Sequence, residues 1–98
     1  MALNVSRDGE RVVVRLPKLF GFAVRSEFKQ ATSGNPVGTK YKLDFQDVER
    51  MDSSALGMLL LLRETSGGIS ADILIVHART EIRKLLQLAN FHTLFHIQ

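Results

Sequence analysis

The run Met51-Asp52-Ser53-Ser54-Ala55-Leu56-Gly57-Met58, followed at once by Leu59-Leu60-Leu61-Leu62, constrains this chain more than any other stretch. An acid and two hydroxyls stand where a loop turns into a helix. Ser, Thr, Asp and Asn are the residues that satisfy the open N–H groups of a helix start. Ser53 could supply that cap, and so could Asp52. The four leucines predict a helix buried on more than one side, as part of a layered domain. A helix start also carries a partial positive charge, so it tolerates added negative charge.

The flanking segments predict what that helix packs against. Leu3 and Val5 alternate with polar neighbours, as do Val12, Val14 and Leu16, and Asp8-Gly9 between them is a tight-turn dipeptide. Two antiparallel strands follow from this, the second ending at Pro17, which has no N–H to give a ladder. Phe20-Gly21-Phe22 reads as a loop, after which Val24, Phe28 and Ala31 recur at helical spacing. Residues 32–39 hold two Gly, an Asn and a Pro and break the pattern. Tyr41, Leu43 and Phe45 then alternate with Lys42 and Asp44, a half-exposed strand. Gly67-Gly68 predicts the stop of the leucine helix. Ile73–Val76 is a short apolar run of the kind buried on both faces of a sheet. Thr80 begins a helix with Ile82, Leu85, Leu86 and Ala89 on its inner face and Asn90 as a left-handed stop, and residues 93–97 form a last strand.

The order β-β-α-β-α-β-α-β predicts an α/β fold: a mixed, mostly parallel sheet of about five strands, with an N-terminal hairpin and helices mainly on one face. Charges at Arg11, Arg15, Lys42 and Asp44 leave part of the other face open to water. With 98 residues and no linker or repeat, a single domain over residues 1–98 is expected. Composition is that of a globular protein, 45% hydrophobic and 23% charged. No apolar run reaches the ~20 residues that span a bilayer, so no membrane insertion is expected. The first ten residues lack a basic-then-apolar export signal, and cysteine is absent, which suits a reducing, cytoplasmic location. The net charge of +3 comes from scattered basic residues with acids nearby, so direct nucleic-acid binding is not expected.

The chemistry-bearing residues do not assemble into an enzyme signature. His92 and His96 would share a face in either a helix or a strand, but a zinc site needs three or four ligands, and His77 has no carboxylate near it by local spacing. There is no Gly-x-Ser-x-Gly elbow, Walker loop or dinucleotide glycine pattern. No metal, no cofactor and no catalytic residue is expected. What remains is a binding module whose handle is a serine presented at a loop–helix junction.

Leu43-Asp44-Phe45, a short polar loop with Val48, and then Met51-Asp52-Ser53-Ser54-Ala55-Leu56-Gly57 resemble the STAS domain of bacterial anti-sigma factor antagonists. The resemblance implies phosphorylation of Ser53, the serine directly after the aspartate, by a partner kinase. It implies partner switching: the unphosphorylated protein binds an anti-sigma factor that is itself often a serine kinase, the phosphorylated one lets go, and a serine phosphatase restores it. It further implies a partner surface of Phe20, Gly21, Met51, Asp52, Ser53, Ser54, Ala55 and Met58. Two departures stand out. Ala55 replaces the family's usual Gly, and Pro17-Lys18-Leu19-Phe20 replaces a Gly-x-Leu-Asp pattern, with an aromatic where the family carries an acid. A second role under the same resemblance is a STAS scaffold subunit of a lipid- or solute-transport complex, with no phosphoswitch.

Overall fold

The computed structural model describes residues 2–98. In chain order its elements are β1 (Asn4–Asp8), β2 (Arg11–Arg15), β3 (Leu19–Phe20), α1 (Arg25–Thr32), β4 (Lys40–Asp44), β5 (Arg50–Met51), α2 (Ser53–Thr65), β6 (Ile73–Val76), α3 (Thr80–Leu88) and β7 (His96–Ile97). The main sheet has five strands in the order β1-β2-β4-β6-β7. Only the β1–β2 hairpin is antiparallel; β2, β4, β6 and β7 run parallel, and the three helices make the crossovers. Asp8 pairs with Arg11 across a turn in which Gly9 takes φ +63°, a conformation that costs glycine little.

Strand alternation divides the sheet into two unlike faces. Val12, Val14, Tyr41, Leu43, Ile73 and Ile75 are buried on one, against Phe28, Leu59, Leu62, Ile82 and Leu86 of the helices. The other keeps its charges in water, where Lys42 meets Asp8 at 3.5 Å, Arg11 meets Asp72 at 2.9 Å and Arg15 meets Asp47 at 2.9 Å. Such exposed pairs add little stability each, but they keep this face from becoming an apolar patch.

Several expectations need correction, and one-sided cover explains most of them. The leucine helix is not buried on more than one side. Ala55, Met58, Leu59 and Leu62 form a single buried stripe of α2, while Leu60 and Leu61 are 40% and 58% exposed. α3 likewise buries only Ile82 and Leu86, leaving Leu85 and Ala89 outside. Val5 is half exposed because β1 is an edge strand over which no helix reaches; Leu3, just before it, is the residue that enters the core. Leu74 is only partly buried, so β6 is not covered equally on its two faces. The expected glycine stop of α2 does hold: Ser66 is the C-cap, its hydroxyl donating to the Leu62 carbonyl at 2.7 Å, and Gly67 follows it at φ +135°. The last strand is shorter than expected. Asn90 does take a left-handed φ of +61°, but Phe91–Thr93 then form a 3-10 turn that buries Phe91 and Phe95 as a stacked pair 5.4 Å apart. Only His96–Ile97 remain to pair with β6, so His92 and His96 do not lie on one strand.

The Phe20-Gly21-Phe22 segment is not all loop. Leu19–Phe20 form β3, which pairs in parallel with β5 as a second, two-stranded sheet, Leu19 opposite Arg50 and Phe20 opposite Met51.

Candidate functional site

The site grows from Asp52, which follows β5 and precedes α2. Its backbone is extended at φ −104° and ψ 178°, the usual N-cap conformation, and its Oδ1 accepts the Ala55 N–H at 3.1 Å. Of the two candidate caps, Asp52 is therefore the one used. Its other oxygen, Oδ2, accepts the N–H of Phe22 at 3.1 Å, thirty positions away in the chain. One carboxylate thus closes the helix start and clamps the segment after β3. The Phe22 N–H is the largest influence holding this carboxyl below its ordinary value; some desolvation opposes it, and the Ala55 and Ser54 N–H groups reinforce it.

The clamp needs a flat neighbour and a fixed ridge. Gly21 provides the first: a Cβ there would run into the Asp52 carboxylate. Its φ of −171° is ordinary extended backbone, so space and not conformation demands glycine. The β3–β5 ladder provides the second, extended by the Glu49 and Arg50 N–H groups donating to the Lys18 carbonyl at 2.8 and 3.1 Å. Phe20 pins the ladder to the core, its ring 5.5 Å from Phe28 and edge-on to Phe45 at 5.9 Å.

Ser53 opens α2 on the outside of this clamp. Its side chain is exposed, and among the described residues its hydroxyl has no hydrogen-bond partner. Met51 and Ser54 beside it are partly buried. Three residues expected in the partner surface are corrected: Phe20, Ala55 and Met58 are 1%, 0% and 7% exposed and support the surface from beneath. Gly21 is buried as well and contributes shape alone. Two residues outside the expected set are the exposed apolar ones beside the clamp. Leu19 and Phe22 are 62% and 67% exposed and flank a groove of ≈ 270 Å³ that Arg50, Met51 and Asp52 complete. No periodic signal in the sequence marks them, because Leu19, Phe20, Gly21 and Phe22 are all apolar and only the fold turns Leu19 and Phe22 outward.

A second polar pair sits at the carboxyl ends of the parallel strands. His77, at φ +62°, brings Nδ1 to 3.0 Å from Asp44 Oδ1, which also accepts the Gln46 N–H at 2.9 Å. Burial pushes the Asp44 carboxyl up, but His77, the Gln46 N–H and Arg15 together pull it below its ordinary value. The carboxylate that local spacing did not offer His77 comes from the neighbouring strand. Among the described residues no group of three His, Cys, Asp or Glu gathers as a metal site would require, and no helix is long and apolar enough to cross a membrane.

Comparison with known proteins agrees with this architecture. The family model described as "Mlab, STAS domain" matches residues 3–96. A STAS-domain containing protein of Pseudomonas aeruginosa (strain UCBPP-PA14) is 37% identical over 93 residues, which is 94% of this chain and 92% of the relative. A candidate anti-sigma factor antagonist from Thermotoga maritima superposes with a TM-score of 0.80 at 18% identity, covering 97% of this chain and 84% of its own. The anti-sigma factor antagonist SpoIIAA in its unphosphorylated form superposes at 0.71 with 19% identity, covering 99% and 88%. At these identities the two structures speak for the fold.

Proposed function

This chain belongs to the STAS domain family, and on that premise we propose that it is an anti-sigma factor antagonist that works by partner switching. In this reading the unphosphorylated protein binds an anti-sigma factor with serine kinase activity and so frees a sigma factor. Phosphorylation of Ser53 releases the complex, a serine phosphatase restores it, and all of this takes place in the cytoplasm. The domain itself performs no catalysis. The observation that carries the reading is the division of labour at the loop: Asp52 supplies the cap with one oxygen and the clamp with the other, which leaves the Ser53 hydroxyl exposed and unengaged. A phosphate there would add about −1.5 to −2 charges beside an existing carboxylate, at a helix start that tolerates them. A partner carboxylate ~5 Å away would then meet roughly 2–7 kcal/mol of repulsion, for an effective dielectric of ~20–80 and before salt screening. Since each 1.4 kcal/mol is about ten-fold in affinity, one such contact suffices to switch the complex off. Leu19 and Phe22 give the partner an apolar rim on which to seat.

Incubation with the cognate kinase, followed by phosphopeptide mapping, tests the acceptor. Label is expected to vanish in Ser53→Ala and persist in Ser54→Ala; the reverse pattern refutes the assignment. In binding assays Ser53→Ala should hold the anti-sigma factor constitutively, with Ser53→Asp weaker and the phosphorylated protein weakest. The second reading, a scaffold subunit of a lipid- or solute-transport complex, draws on the family model's own description, which names Mlab and not an anti-sigma factor antagonist. It expects a stable complex whatever the state of Ser53, and co-purification of Ser53→Asp with its natural partner separates the two.

A further inference from the structure

On the helical side of the molecule, away from the Asp52 clamp, α1 and α2 part to leave a cleft of ≈ 280 Å³. Its walls are apolar: Phe28 and Tyr41 form the floor, with Met58, Leu61 and Leu62 along one side. Leu61 is 58% exposed on that wall, although it belongs to the most apolar helix of the chain. Three of the four hydroxyls that line the cleft are already spent within the protein, Ser33 being the exception. Tyr41 Oη donates to the Thr32 carbonyl at 3.2 Å and accepts from Asn35 at 2.9 Å. Thr32 donates to the Phe28 carbonyl at 2.8 Å, and Thr65 to the Leu61 carbonyl at 3.1 Å. The interior therefore has little to offer a polar molecule.

The rim is different. Arg25 and Lys29, one helical turn apart on α1, both line the cleft. Neither makes an ion pair among the described residues, where six other lysine and arginine side chains do. Lys29 sits in the last turn, where the helix itself favours a cation. Arg25 opens the helix, where a cation is disfavoured, and like charges four positions apart repel. Helix energetics thus argue against this pair, and an anion placed between the two would remove both objections at once. We propose that the α1–α2 cleft is a binding site for a small apolar molecule with a single anionic head group, of the medium-chain carboxylic acid class, its chain on Phe28, Met58 and Leu61 and its carboxylate between Arg25 and Lys29. The volume lies just below the usual range of small-molecule sites, which favours a short chain or a single ring over a full-length lipid.

The test compares decanoate, decanol and decylamine, which share a chain and differ in head group, by titration against the folded full-length protein with two-dimensional NMR as readout. Saturable shifts confined to α1, α2 and residues 32–35 are expected with decanoate, with decanol and decylamine weaker by at least about ten-fold, the scale of one charge-assisted contact. Arg25→Ala/Lys29→Ala should abolish the head-group preference while keeping weak chain binding, and Leu61→Glu should remove decanoate binding; the exposure of all three residues keeps the fold safe. Absence of saturable decanoate binding overturns the proposal, as does equal affinity for the three heads or a double variant that binds like the parent.

Discussion

Gly21→Ala tests the clamp on Asp52 more directly than removal of the aspartate would. At φ −171° alanine fits the backbone, and in open space the exchange would stabilise by about 0.4–1 kcal/mol through the unfolded chain. The space is not open, because the new methyl meets all three terminal atoms of the Asp52 side chain. Either the carboxylate moves and gives up its bonds to Phe22 and Ala55, or the β3–β5 ladder shifts. Overpacking of this kind costs about 1–3 kcal/mol, so a net loss of roughly 1–2 kcal/mol is expected. For a domain of this size that is a fall in Tm of about 4–16 °C. In an Asp52→Ala background the obstacle is gone and Gly21→Ala should be neutral or slightly stabilising. Urea titrations of the four proteins, compared at matched slope, complete the double-mutant cycle. Equal cost of Gly21→Ala in the two backgrounds, to within about 0.5 kcal/mol, would mean that the glycine answers to something other than Asp52.

Ser53→Ala should change stability by no more than about 0.5 kcal/mol, whereas Asp52→Ala should be clearly destabilising; denaturant titration showing the opposite order would make Ser53 the cap. Phe20→Ala should cost about 3–5 kcal/mol, since Phe20 fills the core between Phe28 and Phe45. Leu19→Ala next to it should stay within about 0.5 kcal/mol and yet weaken the partner, so stability and pull-down measurements move independently. The Asp52 carboxyl lies below its ordinary value of 3.8 in the folded protein, so its ionised form adds stability above that pH and loses it as pH falls through the lower folded value. The stability gap between the parent and Asp52→Asn should accordingly shrink as pH drops below about 4, and a gap that widens would reverse the assigned sign.

Local signals in the sequence were reliable where one short segment decides its own conformation. The turn at Gly9, the alternation of Tyr41, Leu43 and Phe45, and the left-handed Asn90 each depend on a few adjacent residues. Contacts between distant segments were not legible. The β3–β5 ladder is two residues long, too short for any period, and exists because Phe20 is held by the core and Lys18 by the backbone of Glu49 and Arg50. The exposure of Leu60, Leu61 and Leu85 was hidden for a related reason: hydrophobicity along a helix does not say how many layers lie above it. At the site, the Asp52-Ser53 pair was visible from residue types alone. Asp52's grip on Phe22, and with it the placing of Phe22 at the rim, required the folded chain.

That grip makes the loop a reporter of the folded state. Asp52 and Phe22 meet only after a long stretch of chain has closed upon itself, and the entropy of that closure is recovered only when β3, β5 and the Phe20 anchor assemble together. A peptide covering residues 51–58 carries every side chain of the loop and the local Asp52–Ala55 cap, but not the clamp on Phe22. If Ser53 is modified as proposed, an enzyme that required the clamped form would inspect the integrity of the whole domain before acting on one hydroxyl, and a misfolded copy would be passed over without any separate quality control.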